Sequence, residues 1–338
     1  MKKVSVVILN WNGAALLRNY LPSVITNTDP SIADVVVADN GSTDESLEVL
    51  RTEFPQVKVI AMPENSGFAE GYNIALKQIE TEYAVLLNSD VEVAPYWLEP
   101  MLDYAESHRE VAAIQPKILS CRDRCRFEHA GAAGGYLDKY GFPFCRGRIF
   151  DSVEEDNGQY NAIIDIFWAS GACLFTRLSD YNAAGGLDRL FFAHMEEIDL
   201  CWRYHLAGKR VVCIPQSTVY HLGGATLDVD NPRKTYLNFR NNLLMLYKNL
   251  PLEERRNKIF KRKLIDGIAA VGFILKRKPQ NVRAIINAHS DADEMIRTHY
   301  SKLTPTENPE ILSRFYAGNR SVILAYFVKG KKRFSDLF

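Results

Sequence analysis

The sequence predicts an α/β fold, a mainly parallel sheet with helices on both faces, followed by a helical C-terminal extension. Three observations predict it. Over residues 4–88 short, β-branched apolar runs alternate with segments of helical period, the pattern of βαβ units. Several of those runs end in Asn-, Asp- and Gly-rich turns, and open α/β sheets hold their ligands beyond such strand ends. Past about Asn249 strand-like runs cease and basic helical segments take over.

The elements follow in order. VSVVIL (4–9) reads as a strand and NWNG as the turn after it. Leu16, Leu17, Tyr20, Leu21, Val24 and Ile25 then share one face of a helix. DVVVAD (34–39) is a second strand, and Ser42 with Glu45 has the spacing of a capping box opening a helix through about Arg51. VKVIAM (57–62), a helix over 67–79 and YAVLLN (83–88) complete the alternation. Residues 110–170, rich in Gly and aromatics, read as long loops with short strands, and loops of that length are commonly functional. IDIFWASGACLFT (164–176) reads as one strand, 196–207 as a helix closed by Gly208, and RVVCIP as a strand. The expected division is a domain over 1–250 and a basic, mainly helical extension over 251–338, its helices broken at Pro279 and Pro305.

Composition sets the class. With 47% hydrophobic and 24% charged residues, the 338-residue chain has enough apolar material for a sizeable core. Its net charge is zero but unevenly spread: residues 251–338 carry 18 basic against 9 acidic side chains, and the first 250 carry 23 against 32. The basic tail suits a phosphate or membrane surface, or a plain solvated helical face; nucleic acid is not an expected partner. After MKK, the apolar run Val4 to Leu9 is too short and too β-branched for a secretion signal. No run approaches the roughly 18 residues of a membrane span; LIDGIAAVGFIL (264–275) is twelve long and contains Asp266. A cytoplasmic location is expected, extending to the inner face of the cytoplasmic membrane. The six cysteines read as reduced thiols, and Cys121 with Cys125 makes a zinc half-site without a partner pair.

Seven blocks carry a resemblance. VSVVILNWNG, VADNGSTDES, ENSGFAEGYNIAL, LLNSDVEV, SGACLF, GGLDRLFFAHMEEIDLCWR and VYHLGGAT stand in the order and approximate spacing of family 2 glycosyltransferases. They are most similar to the rhamnosyltransferase-like bacterial members, over roughly residues 4–250. The resemblance implies a GT-A fold and an inverting glycosyltransferase. It implies a UDP- or dTDP-sugar donor and a saccharide or lipid-linked saccharide acceptor, in the synthesis of cell-surface polysaccharide.

Displacing a nucleoside diphosphate from a sugar carbon requires that the nucleotide be held, the leaving charge stabilised and the acceptor hydroxyl deprotonated. By the resemblance Asp39 binds the base, as an acceptor-only carboxylate suited to a pyrimidine N3–H, with Asn40 in its turn; Asn10 and Asn12 lie on the neighbouring strand end. An Asp that only caps its turn is the alternative. Asn88-Ser89-Asp90 stands where the family has D-x-D, so Asp90 is the expected ligand of Mg²⁺ or Mn²⁺ bridging the diphosphate. Asn88 supplies a carbonyl but no charge, with Glu92 nearby in sequence. His221 resembles the family's late histidine, which reaches the metal or the diphosphate. In MEEIDL the resemblance makes Glu197 the general base, where the family has Asp, with Glu196 next; acids that merely suit a helix N-terminus are the plain alternative. Gly185, Gly186 and Asp188 are expected against the sugar or acceptor, and Phe191, Phe192 and Trp168 stack on sugars or pack the core. Arg240 with Asn241 resembles an R-N pair near the diphosphate.

Other classes fit less well. A dinucleotide oxidoreductase needs G-x-G-x-x-G after the first strand, where this chain has N-W-N-G. A sugar nucleotidyltransferase needs a Gly- and Arg-rich triphosphate loop there. A non-catalytic nucleotide-sugar-binding module stays open because Asn88 and Glu197 depart from the common pattern. The basic clusters flanking 264–275 suit peripheral membrane contact and equally a homodimer.

Overall fold

The computed structural model describes residues 2–223, 231–303 and 320–337. The chain opens as β1 (Val4–Asn10), α1 (Ala14–Asn27), β2 (Ala33–Asp39), α2 (Ser46–Glu53), β3 (Lys58–Ala61), α3 (Gly67–Leu76) and β4 (Tyr83–Asn88). β5 (Val91–Val93), α4 (Glu99–Ser107) and β6 (Val111–Ser120) follow. The Gly- and aromatic-rich stretch then forms β7 (Gly135–Leu137), β8 (Pro143–Cys145), β9 (Arg148–Ile149) and β10 (Ser152–Val153), a small antiparallel sheet. β11 (Ile164–Asp165), β12 (Cys173–Arg177), α5 (Leu178–Ala183), α6 (Glu196–Leu206) and β13 (Arg210–His221) complete the α/β part. α7 (Pro232–Asn249), α8 (Leu252–Leu275) and α9 (Pro279–Met295) pack as a helical C-terminal group.

The main sheet has the order β11-β13-β6-β12-β4-β1-β2-β3, with β5 alongside β13. β4, β1, β2 and β3 run parallel, as do β6 and β13. β12 lies between β4 and β6 and is antiparallel to both, so β6 points the same way as β4. Strand period places Val4, Val6 and Ile8 on one face, in a core with Leu17, Leu21, Val24 and Trp97. Val7 faces the other side, toward Ala69, Tyr72, Leu200 and Leu244.

Three expectations are corrected. Residues 164–176 are not one strand: β11 borders β13 at the sheet edge while β12 lies inside, beyond β13 and β6. The chain must cross between those places, and does so through residues 166–172. Ser42 does not cap a helix. Its Oγ accepts from the Asn12 N–H at 2.9 Å, and α2 starts at Ser46 behind Glu45. Asp44, one residue before the N-cap Glu45, accepts from the N–H groups of Ser46 at 3.0 Å and Ala14 at 3.1 Å, tying the starts of α2 and α1 together. The helix predicted over 67–79 ends at Leu76. Pro279 opens α9 as expected of a helix-first proline, whereas Pro305 and the GAT of VYHLGGAT lie outside the described residues. Among the described residues no helix is long and apolar enough to cross a membrane, and the cysteines are free.

Candidate active site

Sheet direction brings the polar strand ends together. Asn10 pairs in register with Asp39, and Leu9 with Asn88, at the carboxyl ends of β1, β2 and β4. β13 ends there too, with His221 opposite Val91 of β5 and Ser120 at the end of β6. Because β12 is antiparallel, its start meets the end of β4: the Asn88 N–H donates to the Ala172 carbonyl at 3.0 Å. Glu197, on the first turn of α6, rests on that turn. A Cβ added at Gly171 would lie 3.9 Å from its carboxyl carbon and 3.3 Å from the Phe68 ring. Asp39, Asp90 and Glu197 therefore border one rim of the sheet.

The loops after β1 and β2 hold each other. Asp39 is 1% exposed and accepts from the Asn10 amide at 3.0 Å and the Ser42 N–H at 3.0 Å. Asn10 is fully buried, with its Oδ1 unpartnered. Asn12, at φ 49°, accepts from the Thr43 N–H at 2.7 Å. Asn40 ties its turn to the start of α3: its amide donates to Asn65 at 3.2 Å and the Gly67 carbonyl at 3.0 Å, and its oxygen accepts from Ser66 at 3.0 Å.

Asp90 stands in a chain of three side chains. Its Oδ1 lies 3.1 Å from His221 Nε2, and His221 Nδ1 lies 3.1 Å from Glu128 Oε2; the Asn88 amide is 3.5 Å from the same Nε2. Asp90, Glu128 and His221 are each 6% exposed. Burial disfavours a charged imidazole, but the two carboxylates outweigh it and raise the His221 pKa to about 10. Two buried acids thus demand a positive charge between them. Among the described residues no three His, Cys, Asp or Glu side chains converge at metal-ligand spacing. Asp90 and His221 with the Asn88 carbonyl are a partial donor set, fitting a divalent cation completed by phosphate oxygens and water, and Glu128 orients the imidazole from behind. Glu92 does not join them: Arg124 holds both its oxygens, at 2.8 and 2.7 Å.

Glu196 is 3% exposed and Glu197 part-buried, and each keeps an unpartnered carboxylate oxygen. Burial drives both acids upward: Glu196 well above its ordinary value, with the charge of Glu197 adding to it, and Glu197 to about 7. Asp199 is different. Burial would raise it, but Lys248 and Arg203 hold it below the usual carboxylate range. The turn leading in is strained, with Phe192 at φ 65°, His194 at 71° and Met195 at 72°.

Side chains of α7 pin that turn, and several residues expected at the ligand have partners within the protein. Arg240 donates to the carbonyls of Leu190 at 3.1 Å and Phe191 at 3.0 Å, so its guanidinium is occupied by the backbone. Asp188, expected against the sugar or acceptor, accepts from Lys248 at 2.6 Å and the Tyr300 hydroxyl at 2.7 Å. Gly186, at φ +70°, serves packing, since a Cβ there would meet Asn73 Oδ1 at 2.6 Å. Phe191 is fully buried, and Trp168 donates to the Tyr136 carbonyl at 3.0 Å, so both belong to the core. Sequence reasoning missed Glu128, Lys248 and the backbone-clamping task of Asn241.

Residues 5–162 match the model of glycosyl transferase family 2. That stretch, a little under half of the chain, resembles the family. The chain is 26% identical over 231 residues to the N-acetylglucosaminyl-diphospho-decaprenol L-rhamnosyltransferase of Mycobacterium tuberculosis, covering 64% of this chain and 75% of that one. It is 25% identical over 164 residues to rhamnosyltransferase WbbL of Escherichia coli K12, spanning 46% of this chain and 60% of the relative. Among solved structures it resembles GalNAc-T7 with UDP, GalNAc and Mn²⁺ at TM-score 0.60 and 16% identity, covering 90% of this chain and 59% of that one. It also resembles mannosyltransferase PcManGT from Pyrobaculum calidifontis with GDP-Man and Mn²⁺ at TM-score 0.53 and 15% identity, covering 88% and 79%. The chain has the GT-A fold.

Proposed function

We propose that the chain transfers a sugar, rhamnose foremost, from a UDP- or dTDP-linked donor to a hydroxyl of a lipid-linked saccharide, with inversion, in bacterial cell-surface polysaccharide synthesis. In this reading residues 1–250 carry the transfer, and residues 251–338 meet the inner face of the cytoplasmic membrane. The observation that carries it is the Glu197 carboxyl, set on the Gly171 turn beside the end of β4 with a free oxygen and an acidity moved toward neutral. That is the condition a general base needs near neutral pH.

The reaction is a single displacement. Glu197 accepts the acceptor's hydroxyl proton while the oxygen bonds to the anomeric carbon. The bond from that carbon to the diphosphate oxygen breaks on the opposite face, and nucleoside diphosphate departs. One displacement with no covalent intermediate inverts the centre. Asp90 and His221 with the Asn88 carbonyl would hold Mg²⁺ or Mn²⁺, which supplies Lewis-acid stabilisation of the leaving diphosphate. Asp39 faces the base from the β2 end, its carboxylate fixed by the Asn10 amide and the Ser42 N–H. The lipid-linked acceptor of the mycobacterial relative and the rhamnosyl transfer common to both relatives support this choice of acceptor and sugar.

Nucleotide release from UDP- and dTDP-sugars, with and without Mn²⁺ and with a diphospholipid-linked saccharide as acceptor, tests the reading. Release that depends on acceptor supports it. Donor binding with no release under any condition would leave a binding module instead.

A further inference from the structure

α8 is built inside out. Its buried side chains are Arg255, Arg262 and Asp266. Asp266, 0% exposed, receives Arg262 Nε at 2.7 Å and lies 3.1 Å from His289 Nε2. The Arg262 guanidinium also covers the Phe142 ring at 3.6 Å. The opposite face carries Phe260, Leu264, Ile268, Val271, Ile274 and Leu275, which are 62, 58, 70, 54, 59 and 80% exposed. Steps of three and four residues place them on one stripe of the helix, about 22 Å long at 1.5 Å per residue. A Cβ added at Gly267, in the middle of the stripe, would meet nothing within 4 Å. An ordinary surface helix turns its apolar face inward; here ion pairs occupy the inside and large aliphatics the outside.

Charge selects the occupant. Arg256 and Lys261 flank the stripe, and Lys276 and Arg277 follow its C-terminal end; all four are exposed and none is ion-paired with an acid among the described residues. The acids of α8 are Glu253 and Glu254 at its far end and the buried Asp266. A second copy docked on this face by a two-fold axis would set these cations against their own kind. An anionic phospholipid surface matches both features, since acyl chains accept the stripe and lipid phosphates accept the rim.

We propose that the outer face of α8 lies on an anionic phospholipid bilayer, with Ile268 near the centre of the buried stripe and Arg256 and Lys261 at the headgroups. This deepens the membrane contact proposed above and rests on that reading for its purpose, which is to bring a lipid-linked acceptor to the site.

The full chain is sedimented with phosphatidylcholine vesicles, with and without phosphatidylglycerol, at low and high salt. Binding is expected to the mixed vesicles alone and to weaken with salt. Ile268→Glu, at a position exposed to solvent, is expected to lower the bound fraction about tenfold with an unchanged melting temperature and unchanged nucleotide release with a water-soluble acceptor. Equal sedimentation of the two proteins overturns the proposal. So does a concentration-dependent dimer that Ile268→Glu dissociates without vesicle binding, which assigns the face to a second copy. Vesicle binding by a chain that releases no nucleotide upholds the surface while overturning the transferase reading.

Discussion

Asn241 donates its side-chain amide to the carbonyl of His194 at 2.7 Å, two residues ahead of Glu196. The same amide reaches the carbonyls of Phe191 and Ala193 at 2.9 Å each. A helix distant in sequence thus fixes the turn that aims both candidate acids. Asn241→Ala takes the side-chain donor from the carbonyls of Ala193 and His194, while that of Phe191 keeps Arg240. It is expected to lower stability by roughly 2–4 kcal/mol and to reduce transfer while donor binding persists. Thermal unfolding and nucleotide release on one preparation check both parts, and Arg240→Ala is expected to show a smaller version of each.

Glu197→Gln keeps the shape and removes the proton acceptor. Transfer is expected to fall by at least about a hundredfold, with donor-induced thermal stabilisation intact; undiminished transfer refutes the base assignment. In the native protein the Glu197 pKa is raised to about 7 from 4.5. Between those values the folded state therefore holds more protons than the unfolded one, and stability falls as pH rises from 4.5 to 7. Glu197→Gln removes that loss, so at pH 8 the variant is expected to be more stable than the parent by on the order of 1–3 kcal/mol. At pH 4 the two should melt together. In the parent, transfer is expected to increase through neutral pH as the base ionises.

His221→Ala strips the positive partner from Asp90 and Glu128, both 6% exposed. Removing one member of a buried ionic group costs about 3–5 kcal/mol, so a large drop in melting temperature is expected in the absence of divalent cations. Mn²⁺ with nucleoside diphosphate should raise the melting temperature of the parent and leave the variant nearly unmoved. An equal Mn²⁺ response in both would remove His221 from the cation site.

Gly171→Ala tests the contact between the β12 turn and the base. The added methyl would sit 3.3 Å from Phe68 Cζ and 3.9 Å from the Glu197 carboxyl carbon. Phe68 must shift slightly and the space before Glu197 narrows, so transfer is expected to fall about tenfold or more with less than about 1 kcal/mol lost in stability. Full activity would place the acceptor hydroxyl on another side of Glu197.

Local pattern made the rim legible. The short β-branched apolar runs of VSVVIL and DVVVAD, ended by Asn10 and Asp39, placed those residues at strand ends, where the structure has them in register. Direction was harder to read. Nothing in SGACLF says that its strand runs against its neighbours, yet that reversal carries Gly171 to the rim. Side-chain employment was harder still. Arg240 has the chemistry of a phosphate ligand, and only coordinates reveal two carbonyls claiming it. A signal for the missed residues did exist. Asn241, Asn242, Lys248 and Asn249 lie on the buried side of α7, where apolar residues belong, and polar groups there must have partners. Glu128 offered less, as one acid in a Gly-rich loop.

The left-handed backbone at Phe192, His194 and Met195 sets robustness against turnover. Non-glycine residues in that region cost of order 1–3 kcal/mol each, so a selection for heat tolerance is expected to enrich glycine at 194 or 195. Such variants are expected to melt later and, under the proposed base assignment, to transfer less, because a looser turn no longer dictates where the following two acids point. Heat tolerance is better sought on the far rim of the sheet, away from the segment whose discomfort aims Glu196 and Glu197.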